Sequence, residues 1–155
     1  MRRALVLVLL LAAACGSSAD TGPNQASSGS ATLAIRTASG VRTFDVEVAD
    51  TADERRTGLM GRETLDPLDG MAFLWTEPVQ NAFWMKDTLI PLSIAFWDDG
   101  GRIVSIIDME PCRADPCPTY SPDAAYVGAL EVARGELERR GVGVGDTVDL
   151  TLEGP

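Results

Sequence analysis

Lys86 is the only lysine in a chain of 155 residues, and it stands between Met85 and Asp87 in an otherwise apolar stretch. An ammonium with reduced hydration would act as a base or as the anchor for an anionic group. Thr88 and Ser93 are the hydroxyls near it in sequence, each a candidate nucleophile partner. On an ideal strand Lys86 and Thr88 share a face and Ser93 lies on the other, so a Ser–Lys pair requires Pro91 to bend the chain. The structural alternative is an ion pair of Lys86 with Asp87 or Glu131. Trp75, Trp84 and Trp97 would either line a pocket for a sugar or apolar ligand or anchor a core. Met60, Met71, Met85 and Met109 carry thioethers of the kind that bind Cu(I), but they lie in apolar segments or at their edges, where methionine fills gaps in packing.

Composition narrows the chemistry. There is no histidine, which removes Ser-His and Cys-His nucleophile pairs, imidazole metal sites and imidazole acid–base catalysis. Acidic residues outnumber basic ones 23 to 13, a net charge of -10, so a phosphate backbone would meet repulsion unless the few cations clustered, and nucleic acid is not expected as a partner. Arg139 and Arg140 with Glu136 and Glu138 read as a solvated helix face. No cofactor signature occurs: neither a dinucleotide glycine motif nor a phosphate loop is present.

The N-terminus carries an address. Arg2-Arg3, the apolar run Ala4 to Ala14 and then Cys15 form the basic, hydrophobic and small-residue regions of a secretory signal. The run is too short to span a bilayer, which takes about 20 residues. Leu11-Ala12-Ala13-Ala14-Cys15 resembles a bacterial lipobox, so residues 1–14 are expected to be removed and Cys15 to receive lipid. Residues 15–31, rich in Gly, Ser and Ala, would then be a flexible tether reaching roughly 20 Å from a membrane surface. With Cys15 lipidated, Cys112 and Cys117 remain as an even pair in a proline-dense loop. The expectation is a structural disulfide and no metal, since four intervening residues do not match a redox Cys-x-x-Cys and no histidine completes a zinc site.

The elements that must position these residues are short. Thr32–Thr37 and Val41–Val48 read as a hairpin, with Phe44, Val46 and Val48 alternating against Asp45 and Glu47. Thr51-Ala-Asp-Glu54 is a capping box opening a short helix that Gly61 ends. Strands follow over Met71–Trp75, Ala82–Met85, Leu92–Trp97, Arg102–Ile107, Ala125–Val132 and Thr147–Leu152, with a second short helix near Arg134–Arg140. The fold class is therefore mainly β: residues 32–155 form one compact antiparallel sandwich or partly closed barrel with two short helices.

Three segments carry a family resemblance. Thr57-Gly-Leu-Met-Gly-Arg62, the stretch Asn81-Ala-Phe-Trp-Met-Lys-Asp-Thr-Leu-Ile-Pro-Leu-Ser-Ile-Ala-Phe96, and Leu130-Glu131 with Gly145-Asp146-Thr147-Val148 resemble the domain of unknown function 192 family from about Phe44 to Leu152. The resemblance implies a compact, mainly antiparallel β domain, often exported in bacteria, with no established activity. Ser93 departs from the aspartate commonly found in its slot.

Two functions are carried forward. The first is a lipid-anchored module of the bacterial cell envelope that binds a small molecule or an envelope protein through a pocket lined by Arg62, Trp84, Lys86 and Tyr126. The second is a hydrolase or transferase that uses Lys86 with a hydroxyl or carboxylate partner. Binding is preferred, because no nucleophile, base and orienting group stand at matching spacing.

Overall fold

The computed structural model describes residues 29–66 and 69–152. The expected export signal and Cys15 lie outside the described residues. The first strand, β1 (Gly29–Thr37), begins inside the stretch that the sequence suggested was tether, because Ala31 is buried and pairs with both neighbouring strands.

Strand β2 (Gly40–Ala49) returns from β1 through a two-residue turn, with Thr37 opposite Gly40 at a φ of 120°. The helix α1 (Ala52–Thr57) forms as its capping box dictates: the Thr51 hydroxyl accepts from the Glu54 amide at 3.3 Å and the Glu54 carboxylate accepts from the Thr51 amide at 3.0 Å. The turn at Gly58, φ 47°, lets the chain reverse against the Phe73 ring, 3.4 Å from where a Cβ would stand. Strand β3 (Asp69–Val79) follows; it runs through Pro78, where the sequence alone suggests an end. The ladder to its neighbour is irregular between Leu74 and Val79, which is where a proline without an N–H can sit in a strand.

The remaining elements are β4 (Phe83–Trp84), β5 (Leu92–Trp97), β6 (Ile103–Met109), β7 (Thr119–Tyr120), β8 (Tyr126–Ala133), α2 (Glu136–Arg139) and β9 (Thr147–Leu152). Seven strands make one sheet in the order β6-β5-β8-β3-β2-β1-β9, and β4 pairs with β7 in a small second sheet. All pairs are antiparallel except β2 with β3, which the chain joins in parallel by crossing over through α1. The outer strands meet at the Arg102–Thr147 bridge, supported by Ile103 N–H to Asp146 O at 2.8 Å and Val148 N–H to Gly101 O at 2.7 Å. The sheet thus doubles over as a sandwich and does not close as a barrel.

Each face of the bent sheet buries its own cluster. One holds Leu33, Ile35, Phe44, Trp97, Leu130 and Leu137; the other holds Leu59, Phe73, Met85, Ile94, Phe96 and Tyr126. Met71, Met85 and Met109 are buried in the second cluster, in the gap-filling role. Trp97 lies flat across Gly128, its partner in the β5–β8 register. Glu136 corrects the reading of a wholly solvated helix: it is buried, and Arg139 reaches it at 2.6 Å while Arg140 lies at 4.0 Å. The turn after β8 tucks α2 against the sheet, so an acid on its inner side needs paired cations.

Candidate functional site

Glu131 lies near the middle of β8, directly opposite Met71 on one side and Ile94 on the other. It is 4% exposed. Among the described residues no side chain or backbone group pairs with its carboxyl, and burial alone pushes its pKa up to about 8. It is therefore predominantly an uncharged acid at neutral pH. No fully enclosed polar side-chain atom lacks a partner among the described residues, so the surface that Glu131 retains is at its carboxyl end.

That end opens into a cleft of about 450 Å³. Glu131 and Thr88 supply polar groups within it, Phe73 and Trp75 come from β3, and Phe83 and Trp84 come from β4. The C-terminal half of α1 and the following turn, with Arg55, Arg56 and Leu59, form the opposite wall. A cleft of this size, lined about equally by polar and apolar surface, is large enough for a small molecule.

The walls are held by specific contacts. Arg55 donates to the carbonyls of Asp50 and Leu74, the latter at 2.8 Å, and its guanidinium lies 5.1 Å over the Trp75 ring, which fixes α1 to β3. Arg56 pairs with Asp53 at 2.6 Å. Phe83 packs edge-on against Phe73 at 5.0 Å and Phe96 at 5.5 Å, and Phe96 meets Tyr126 at 4.9 Å. The Tyr126 hydroxyl donates to the Asn81 carbonyl at 2.9 Å and so pins the segment that enters β4. Its burial raises the phenol to about 12. Gly61 N–H donates to the Asp87 carbonyl at 2.8 Å and ties the turn after α1 to the turn after β4.

The four residues expected to line one pocket are thereby separated. Trp84 stands at the mouth, 47% exposed. Tyr126 is fully buried and supports the cleft from below. Arg62 points away to Glu47 at 2.5 Å. Lys86 sits in a tight turn outside the cleft, not on a strand; its Nζ is 3.8 Å from Asp115 and 5.9 Å from the centre of the Trp84 ring. The partner is Asp115, not Asp87 or Glu131. Both side chains are substantially exposed, 41% and 78%, so the ammonium is not strongly desolvated. Lys86→Met should accordingly shift unfolding stability by no more than about 1 kcal/mol, as an exposed pair does; a loss of 3 kcal/mol in urea titration would contradict this placement.

Neither hydroxyl joins Lys86 as a reactive pair. Thr88 Oγ1 donates to the carbonyl of Lys86, at 3.4 Å, and Ser93 Oγ donates to Asp108 at 2.6 Å while accepting from the Gly135 amide at 2.9 Å. Cys112 and Cys117 are disulfide-bonded, and the Cys112 N–H donates to the Met85 carbonyl at 3.2 Å. The Cys112, Asp115 and Cys117 donors are close together, but the disulfide leaves no thiolate to ligate a metal.

Sequence alone offers Glu131 only as a partner for Lys86 and as part of the Leu130-Glu131 segment of the family resemblance. Its signal lies in Ala129-Leu-Glu-Val-Ala133, where one acid interrupts a strand that is small or apolar on both faces. Such a strand is internal to its sheet, and its acid has no solvated side to occupy.

A family model described as DUF192, uncharacterized ACR, matches residues 34–150. The chain belongs to the DUF192 family. Among solved structures, this DUF192 domain is similar to a Sinorhizobium meliloti protein whose stated role is a proposed transcription regulator, with 29% identity, a TM-score of 0.75, and coverage of 81% of this chain and 97% of that one. It is also similar to a Novosphingobium aromaticivorans protein of unknown function, with 31% identity, a TM-score of 0.71, and coverage of 76% and 83%. Comparison with curated proteins finds no match.

Proposed function

We propose that this DUF192 domain is a small-molecule-binding module, anchored to a bacterial envelope membrane through lipid on Cys15, with the Glu131 cleft as its site. The observation that carries the reading is a carboxyl group buried without a partner at the floor of an aromatic cleft. Leaving an acid there costs folding free energy, and a ligand that hydrogen-bonds to it would recover that cost. The acidic balance of the chain argues against a nucleic-acid ligand.

A metabolite-library screen by amide chemical-shift mapping on the full, detergent-solubilised chain tests the site. Ligands should perturb the amides of Thr57 to Met60 and of Phe83 to Trp84, and Glu131→Leu should weaken them at least ten-fold; hits that map to another face would refute the assignment. The anchor is tested separately. Labelled palmitate should enter the wild-type chain but not Cys15→Ser, and equal labelling of the two would refute the lipoprotein reading.

A further inference from the structure

The charges around the cleft restrict what it can hold. Its titratable lining consists of Arg55 and Arg56 from α1 and Glu131 from β8. The strands flanking Glu131 place Met71 and Ile94 opposite it, and these carry no charge. Lys86 lies outside, directed to Asp115 and the Trp84 ring. Both cleft guanidiniums are committed, Arg55 to two carbonyls and the Trp75 face, Arg56 to Asp53. An anionic ligand finds only Arg56, whose exposed ion pair with Asp53 it would have to share. A cationic ligand meets two guanidiniums on its way in and an un-ionised acid at the floor.

What remains available is neutral and polar. The Glu131 carboxyl offers both an O–H donor and a carbonyl acceptor, and the Thr88 hydroxyl, whose proton is directed to the Lys86 carbonyl, still accepts. Beside them is one accessible aromatic platform: Arg55 lies 5.1 Å over Trp75, whereas Trp84, with Lys86 5.9 Å over its ring, stands half-exposed at the mouth. Alternating donors and acceptors next to an indole match a ring with hydroxyls at its rim and C–H groups on its face.

We propose that the cleft takes an uncharged saccharide, one pyranose ring packing on Trp84 while a ring hydroxyl accepts a hydrogen bond from the Glu131 carboxyl. This rests on the cleft being the ligand site. Binding needs the protonated carboxyl, so affinity is flat up to neutral pH and falls above about pH 8, in proportion to the fraction still protonated. A ligand amine would behave in the opposite way, gaining affinity as the carboxyl ionises.

The test titrates the full, detergent-solubilised chain with three trisaccharides of one length: the N-acetylglucosamine trimer, its de-N-acetylated amine, and a trimer of uronic acid. Binding is read from the amides of Phe83 to Thr88 and Glu131 and from the indole resonances. The neutral trimer should saturate these shifts, bind about ten-fold more weakly at pH 9 than at pH 7, and lose at least ten-fold in Trp84→Ala. Glu131→Gln, which keeps a neutral donor and acceptor, should retain binding and lose the pH dependence. Tighter binding of the amine or the uronate at the same amides would overturn the saccharide class and leave the cleft standing. Failure of all three trimers to shift the cleft amides would also overturn the class, while the library screen judges the cleft by itself. Saturable shifts confined to another face would overturn both.

Discussion

Glu131→Gln should unfold at a higher urea concentration than wild type at pH 9 and at nearly the same concentration at pH 4. The folded state raises the Glu131 carboxyl from 4.5 to about 8, so folding favours the protonated form. The folded chain therefore binds more protons than the unfolded chain between these values, and stability falls as pH rises from about 4.5 to about 8, then stays low. At 1.36 kcal/mol per unit, the shift sets an upper bound of about 5 kcal/mol on that loss. Glutamine cannot ionise and escapes it. Parallel stability curves for the two proteins from pH 4 to pH 9 would mean that Glu131 is solvated and that the acid at the floor of the cleft is an ordinary one.

The second large effect is expected at Gly128→Ala. A Cβ there would lie 2.1 Å and 2.2 Å from two atoms of the Trp97 indole, which rests on the strand at that point. Both residues belong to adjacent interior strands of the main sheet, so neither backbone can retreat easily. Overpacking of this kind costs about 3 kcal/mol. Gly143→Ala is the matched control, since nothing lies within 4 Å of its would-be Cβ; it should change stability by less than about 0.5 kcal/mol. Trimming the indole with Trp97→Leu in the Gly128→Ala background should return part of the loss, a non-additivity that two independent sites would not show. Equal midpoints for the Gly128 and Gly143 variants would refute the packing described for β5 and β8.

Much of this architecture was legible because it is encoded locally. The alternation of Phe44, Val46 and Val48 and the Thr51–Glu54 capping box each act within a few residues, and each appears where the sequence places it. The parallel pairing of β2 and β3 was not legible. It depends on where the chain lands after α1, which no local pattern specifies. The site divides along the same line. Trp84 was identified from its own segment, but the cleft is completed by Arg55 and Glu131, 76 residues apart in sequence and joined through β3. Lys86 drew attention by its rarity among apolar neighbours, yet a turn after β4 carries it outward to Asp115. Apolar context in sequence does not establish burial when the segment is about to reverse direction.

The placement of β1 has a mechanical consequence. This strand emerges first from the N-terminal segment, and it is laddered along its length to β2 on one side and to β9 on the other. A pull applied at Gly29 along the strand axis would load both ladders in shear. Their rungs then share the tension and must fail together, whereas a strand peeled from one side surrenders them one at a time. A domain pulled through its first strand along that axis resists unfolding kinetically, through a slow forced-unfolding rate, even where its equilibrium stability has been lowered by the acid it buries.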